Sequence, residues 1–193
     1  MRRVGPLAVL GVLLALAGCA TGKDAVSAGS DFQFVSPGGK TDIRYEGADR
    51  KTAGELAGES LLEADKQVRL SDYAGQVVVL NIWGSWCGPC RVEAPELQKL
   101  YDQTRGSGVT VLGVDVHDEQ RSAPADFVRD RAISYPSIYD PPARTLLALR
   151  GYPRSTVPST IIFDREHRVA AVYLRDLRAD DLLPVVNRLA AES

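Results

Sequence analysis

VVVLNIWGSWCGPCRVEAPELQKL, residues 77–100, decides how this chain is read. Its first seven residues form a nearly continuous apolar, β-branched run, the pattern of a strand buried on both faces of a sheet. Gly84, Ser85 and Trp86 follow, then Cys87, Gly88, Pro89 and Cys90. Beyond them the spacing turns helical, with Val92, Leu97 and Leu100 towards one side and Arg91, Glu96 and Lys99 elsewhere. The expectation is a central strand that hands two cysteines to the first turn of a helix.

That placement carries chemistry. The first turn of a helix has unpaired N–H groups and the positive end of the dipole, so a thiolate there is stabilised. Cys87 is expected to ionise more readily than a free cysteine. Pro89 lacks an N–H, which costs little in a first turn. Cys90 stands one turn on, within reach of the Cys87 sulfur, so Cys87 is the expected nucleophile and Cys90 the resolving thiol of a redox-active disulfide. A C-x-x-C pair between a strand and a helix reads as a thioredoxin-like redox motif. A zinc site needs two further ligands, and the chain offers no second cysteine pair and only His117 and His167. No metal or other cofactor is expected. A purely structural disulfide between Cys87 and Cys90 closes too short a loop to restrain the chain much.

Around this stretch, 193 residues with 45% hydrophobic and 25% charged side chains suit one domain with a real core. A formal charge of −2 gives no reason to expect nucleic-acid binding. Residues 1–18 read as a targeting segment: Arg2 and Arg3, then an apolar stretch over 4–17 that is too short for an ordinary membrane span. It ends in Leu16, Ala17, Gly18 and Cys19, which resembles a bacterial lipobox, where the cysteine is lipidated and becomes the new N-terminus. Losing residues 1–18 removes Arg2 and Arg3 and shifts the formal charge to −4. Lipidation also settles the cysteine count, because it leaves only the redox pair in an oxidising compartment. The expected location is extracytoplasmic, anchored in the cell membrane by lipid on Cys19.

Residues 19–40 are rich in glycine and serine and read as a flexible tether, leaving 41–193 as the domain. Phe32, Phe34 and Val35, and weakly 41–46, have short-strand character. Residues 56–62 and 67–70 read as a hairpin across 63–66. A second buried strand, 109–116, completes a βαβ unit. Residues 123–131 read as a helix with Ser122 as N-cap, 136–139 as a short strand and 142–149 as a short helix. Strands follow at 159–163 and 168–174, then an amphipathic helix at 178–191. The loop 115–120 is acidic and sits at a strand's C-terminal end; it and His117 read as solvated.

Together these residues resemble the thioredoxin superfamily, and within it the TlpA/ResA-like thiol-disulfide oxidoreductases. The resemblance runs over roughly 53–191 and is carried by NIWGSWCGPC at 81–90, Glu93, Pro95 and TVPST at 156–160. It implies an α/β thioredoxin fold, a central mixed β-sheet flanked by helices, here with an N-terminal β-hairpin extension. It implies a cis Pro158 against the cysteine pair, with Val157 free to pair with an extended client. Trp86, Gly88 and Pro89 join Val157 and Pro158 as the implied substrate-binding residues. Glu93, three residues after Cys90, matches an acid thought to tune the cysteines in this group, and a partly buried carboxyl there accepts a thiol proton. Ordinary thioredoxins carry a buried aspartate where this chain has Asn81, which cannot titrate. Where the family often has a glycine lining the groove, this chain has Arg175, expected to narrow it.

The resemblance implies a monomeric, membrane-tethered enzyme that reduces disulfides of client proteins such as apocytochrome c during cytochrome c maturation. A membrane thiol-disulfide donor would recharge it. Gly88-Pro89 favours the reducing direction. The alternatives are a disulfide-forming oxidase, a thiol peroxidase, which normally needs no second cysteine at this spacing, and a non-enzymatic copper- or thiol-binding module. The last lacks a nearby methionine or histidine partner.

Overall fold

A computed structural model describes residues 32–192. Among them, eight strands form one mixed sheet: β1 (Asp42–Arg44), β2 (Ala57–Ser60), β3 (Gln67–Arg69), β4 (Val77–Trp83), β5 (Val109–Asp115), β6 (Ser137–Tyr139), β7 (Ser159–Phe163) and β8 (Val169–Tyr173). Three α-helices accompany it, α1 (Gly88–Thr104), α2 (Ser122–Asp130) and α3 (Ala179–Ala190). The strand order is β1-β8-β7-β4-β5-β6-β2-β3. β4, β5 and β6 run parallel, while β7, β8 and β1 on one side and β2 and β3 on the other are antiparallel. This is the thioredoxin-like fold, with the expected hairpin β2–β3 added beyond β6.

Every residue of β4 and of β5 is buried, as their uninterrupted apolar runs predict for strands covered on both faces. Alternate residues feed two cores. Val77, Val79 and Trp83 pack on one face with Leu97 and Leu100 of α1, Phe127 and Val128 of α2, and Leu182 and Val186 of α3. Val78, Leu80 and Ile82 pack on the other with Phe32, Leu56, Leu146 and Tyr152, so segments outside the three α-helices cover that face. Phe32 is buried there and the Phe34 N–H donates to the Arg150 carbonyl at 2.8 Å. Phe32 and Phe34, within the stretch read as a tether, therefore pack on the domain. Residues 1–31, with Cys19 and the proposed leader, lie outside the described residues.

Several local expectations change. Ser122 is not the N-cap of α2: Arg121 precedes the helix with φ −53° and ψ −30°, so Ser122 is already inside the first turn. The short helix expected over 142–149 is a 3₁₀ turn at Thr145–Ala148, whose start Asp140 caps by accepting from the Thr145 N–H at 2.6 Å. Val92 leaves the apolar side of α1 and is 72% exposed.

Candidate active site

The parallel pair β4–β5 ends at Trp83 and Asp115, and the chain leaves β4 through Gly84, Ser85 and Trp86 into α1. Cys87 is the N-cap of that helix, with extended backbone angles, and its sulfur accepts the Cys90 N–H at 3.2 Å. Pro89 occupies the first turn, where its missing N–H is harmless. Cys87 and Cys90 form a disulfide with Cα atoms 5.3 Å apart. In this oxidised state both cysteines are shielded, Cys87 3% and Cys90 1% exposed. Cap geometry turns the Cys87 sulfur inward to the helix N–H groups. What the surface presents is Trp86, 53% exposed, with Gly88, Pro89 and Val92.

Trp86 is held in place. Its indole N–H donates to the Val116 carbonyl at 2.9 Å. The ring lies over Gly84, where a Cβ would come within 2.3 Å of the indole nitrogen, so glycine is required by this close approach. Ser85 is fastened from the loop after β5: its backbone N–H and its hydroxyl each donate to a carboxyl oxygen of Asp118 at 2.7 Å. Arg91 reaches back to the Ser85 carbonyl at 3.2 Å.

On the other side of the cysteines, Glu93 is 2% exposed. One carboxyl oxygen accepts from the Asn81 amide at 3.0 Å and the other from the Leu177 N–H at 2.9 Å. The Asn81 amide also donates to the Thr160 hydroxyl at 3.2 Å. Burial raises the Glu93 pKa to about 7, and these two hydrogen bonds, which favour the carboxylate, keep it from rising further. Cys90 and Glu93 are three residues apart on α1 and share a face. Glu96, placed by periodicity away from the apolar side of α1, accepts the Ala179 N–H at 3.1 Å and caps α3. Glu93 and Glu96 of α1 thus both fix the start of α3.

Pro158 lies at the start of β7, which pairs with β4 beside the point where the cysteines emerge. The Val157–Pro158 bond is cis, as expected. Pro158 is buried, and Val157 is half-buried against the core that holds both cysteines. Arg175 does not project into the groove: its guanidinium forks onto Asp42 of β1 at 2.9 Å, on the far side of β8 from β4. That pairing holds the Asp42 carboxyl below the usual carboxylate range.

The acidic loop after β5 also differs from its reading. His117 is exposed, as expected of a solvated loop, but Asp115 is fully buried and Asp118 is 6% exposed. The missed signal was available: Asp115 ends a strand whose every other position is apolar or small, so the register that buries Val111 and Gly113 buries Asp115 too. Among the described residues no group of three or more His, Cys, Asp or Glu is arranged to hold a metal, and no helix is long and apolar enough to cross a membrane.

Residues 53–172 match the AhpC/TSA family. Among characterised proteins, the thiol-disulfide oxidoreductase ResA of Bacillus subtilis (strain 168) is 33% identical over 107 residues, 55% of this chain and 58% of that protein. ResA of Geobacillus kaustophilus is 32% identical over 114 residues, 59% of this chain and 63% of that protein. The chain thus spans 58% and 63% of the length of these two relatives. A secreted thiol-disulfide isomerase from Corynebacterium glutamicum has a structure that superimposes with a TM-score of 0.83 at 46% identity, covering 85% of this chain and all of that one. A DsbF homologue from Corynebacterium diphtheriae superimposes with a TM-score of 0.78 at 47% identity, covering 82% of this chain and 99% of that one.

Proposed function

The chain belongs to the AhpC/TSA family of the thioredoxin superfamily, and from that premise we propose that it is a thiol-disulfide oxidoreductase acting on client proteins outside the cytoplasm. The observation that carries this reading is the Cys87–Cys90 disulfide at the N-terminus of α1, where unpaired N–H groups favour a thiolate. In the reducing direction the Cys87 thiolate attacks a client disulfide, forms a mixed disulfide and expels one client thiolate. Cys90 then loses its proton to Glu93 and attacks the Cys87 sulfur. This expels the second client thiolate and regenerates the Cys87–Cys90 disulfide, so two electrons have passed to the client. Trp86, Gly88, Pro89 and Val157 form the rim against which an extended client segment lies, next to Pro158. A membrane thiol-disulfide donor returns the electrons.

The lipobox resemblance supports attachment to the membrane through Cys19, and the likeness to ResA supports clients such as apocytochrome c. Mass spectrometry of membrane-extracted protein tests the anchor, and an unmodified Cys19 refutes it. A second direction is favoured by the likeness to an isomerase and to a DsbF homologue over 85% and 82% of this chain. Disulfide formation or shuffling requires a more oxidising pair than reduction. The equilibrium reduction potential of the chain decides: a value near about −270 mV supports reduction of clients, and one near about −120 mV supports oxidation. No reversible Cys87–Cys90 couple at all overturns the reading.

A further inference from the structure

Among the described residues, Asp115 is the one fully buried carboxyl that the redox steps above leave without a task. It closes β5 in register with Trp83 of β4 and Tyr139 of β6. Neither of its oxygens receives a hydrogen bond from any described residue. An unpaired buried carboxylate is costly, and what stands against Asp115 is a second carboxyl, that of Asp118. Two acceptors can be joined only by a proton that one of them keeps. Both Asp118 oxygens already accept from Ser85, while those of Asp115 have no other donor, so the proton belongs on Asp115.

We propose that Asp115 and Asp118 act as one acid pair holding a single proton, and that this pair positions Ser85 and Trp86, and through them the approach to Cys87. The proposal rests on the reading of Cys87 as the attacking thiol. The segment after β5 holds the residues before Cys87 at several points: Asp118 takes both donors of Ser85, the Val116 carbonyl takes the Trp86 indole N–H, and the His117 ring lies against the Trp86 ring. Loss of the proton sets two carboxylates side by side in a buried place and drives Asp118 away from Asp115, taking Ser85 with it. Burial, and then the contact with Asp118, pushes the Asp115 pKa up to about 10, so the proton is retained through neutral pH. The charged and titratable groups that face the pair are few. Asp140 follows β6, and its negative charge adds to the rise at Asp115. The Tyr139 hydroxyl donates to the Asp118 and Glu119 carbonyls, and Arg121 lies over the Tyr139 ring while paired to Glu59. Exposed His117 lies between the two acids, and β4 contributes only Trp83.

Carboxyl-carbon and indole NMR of the oxidised full chain, titrated upward from neutral pH, reads both halves of the proposal. One aspartate carboxyl is expected to stay protonated at pH 7, and the Trp86 indole N–H resonance to shift as that carboxyl titrates. Asp115→Asn supplies a permanent donor to Asp118, so the protonated signal and the alkaline indole shift both disappear. Asp118→Asn gives Asp115 a donor, and the same titration moves at least tenfold in proton concentration towards acid. In the reduced chain, the alkaline limb of the pH profile for Cys87 alkylation follows the same two variants. An Asp115 that is ionised at neutral pH in the unmutated chain overturns the proposal, as does an indole resonance that ignores its titration. Absence of disulfide exchange with clients refutes the proposed function alone, since the oxidised-state titration needs no turnover.

Discussion

Replacing Glu93 with glutamine separates the two roles its position suggests, a proton acceptor and a structural anchor. Its pKa is about 7 in the folded chain against an ordinary 4.5, because burial outweighs the hydrogen bonds from Asn81 and Leu177. The folded state therefore holds this proton more tightly than the unfolded state. Between those two values folding loses stability as pH rises, and the loss is complete above the folded pKa. Evaluated between pH 5 and pH 8, the loss from this one group is about 2.5 kcal/mol. Glutamine cannot ionise, so that slope disappears from the variant. It also introduces an N–H₂ where Glu93 accepts two donors, and one donor then meets a donor. That mismatch costs about 1–3 kcal/mol at any pH. Glu93→Gln is expected to be less stable than the unmutated chain at pH 5 and to recover about 2.5 kcal/mol relative to it by pH 8.

Urea unfolding of the oxidised protein at the two pH values reads the slope. Thiolate absorbance of the reduced protein reads the chemistry. Neighbours three apart on a helix lie about 6 Å apart, and at an effective dielectric constant near 20 two such charges repel by about 3 kcal/mol. Removing the Glu93 carboxylate should thus lower the apparent pKa of the buried thiol by about two units. Client reduction should slow and lose its inflection near neutral pH. Parallel stability–pH curves for the two proteins, or an unchanged thiol titration, refute the reasoning and leave Glu93 as an anchor for Leu177 only.

In a Cys90→Ala variant, Cys87 should trap a mixed disulfide with its client, visible on a non-reducing gel; preferential trapping by Cys90 in Cys87→Ala reverses the assignment. Gly84→Ala places a methyl 2.3 Å from the Trp86 indole nitrogen. It should break the bond to the Val116 carbonyl at a cost of about 1–3 kcal/mol and raise KM for clients more than it lowers kcat, as steady-state kinetics will show. Arg50 is buried and paired with Asp164, Glu192 and Glu46. Since Arg168 and two backbone N–H groups also serve Asp164, Arg50→Met should cost about 1–3 kcal/mol in urea unfolding, less than the 3–5 typical of a stranded buried ion; a larger loss would show that those remaining partners do not hold Asp164.

The strands that carry the site were legible because their signal is local. Residues 77–83 and 109–115 are buried at every position, and a continuous apolar run says so without reference to any partner. The cis bond at Pro158 and the hairpin β2–β3 were also anticipated, the first through family resemblance and the second through turn chemistry. Ser122 misled because serine is a common N-cap, yet Arg121 ahead of it already has helical angles. Val92 and Glu96 were misplaced because helical periodicity gives faces but not the neighbour each face meets. Here α3 arrives against Glu93 and Glu96 and leaves Val92 in water.

The protonation of the site was harder still to read, because pairs distant in sequence set it. Asn81 looked like the loss of a proton carrier from the strand, and as a single residue it is one. In the fold its amide is spent on Glu93, twelve residues on, and it limits how far burial can raise that acid. A titratable aspartate at 81 would stand beside Glu93 as a second buried carboxyl, the like-charge arrangement that raises one of the two pKa values steeply. The chain instead places that kind of pair at Asp115 and Asp118, on the opposite side of the cysteines, where it touches Ser85 rather than Cys90. The neutral amide at 81 and the acid pair at the end of β5 are thus complementary. One keeps the Glu93 pKa close to neutral, and the other keeps a second proton out of that range.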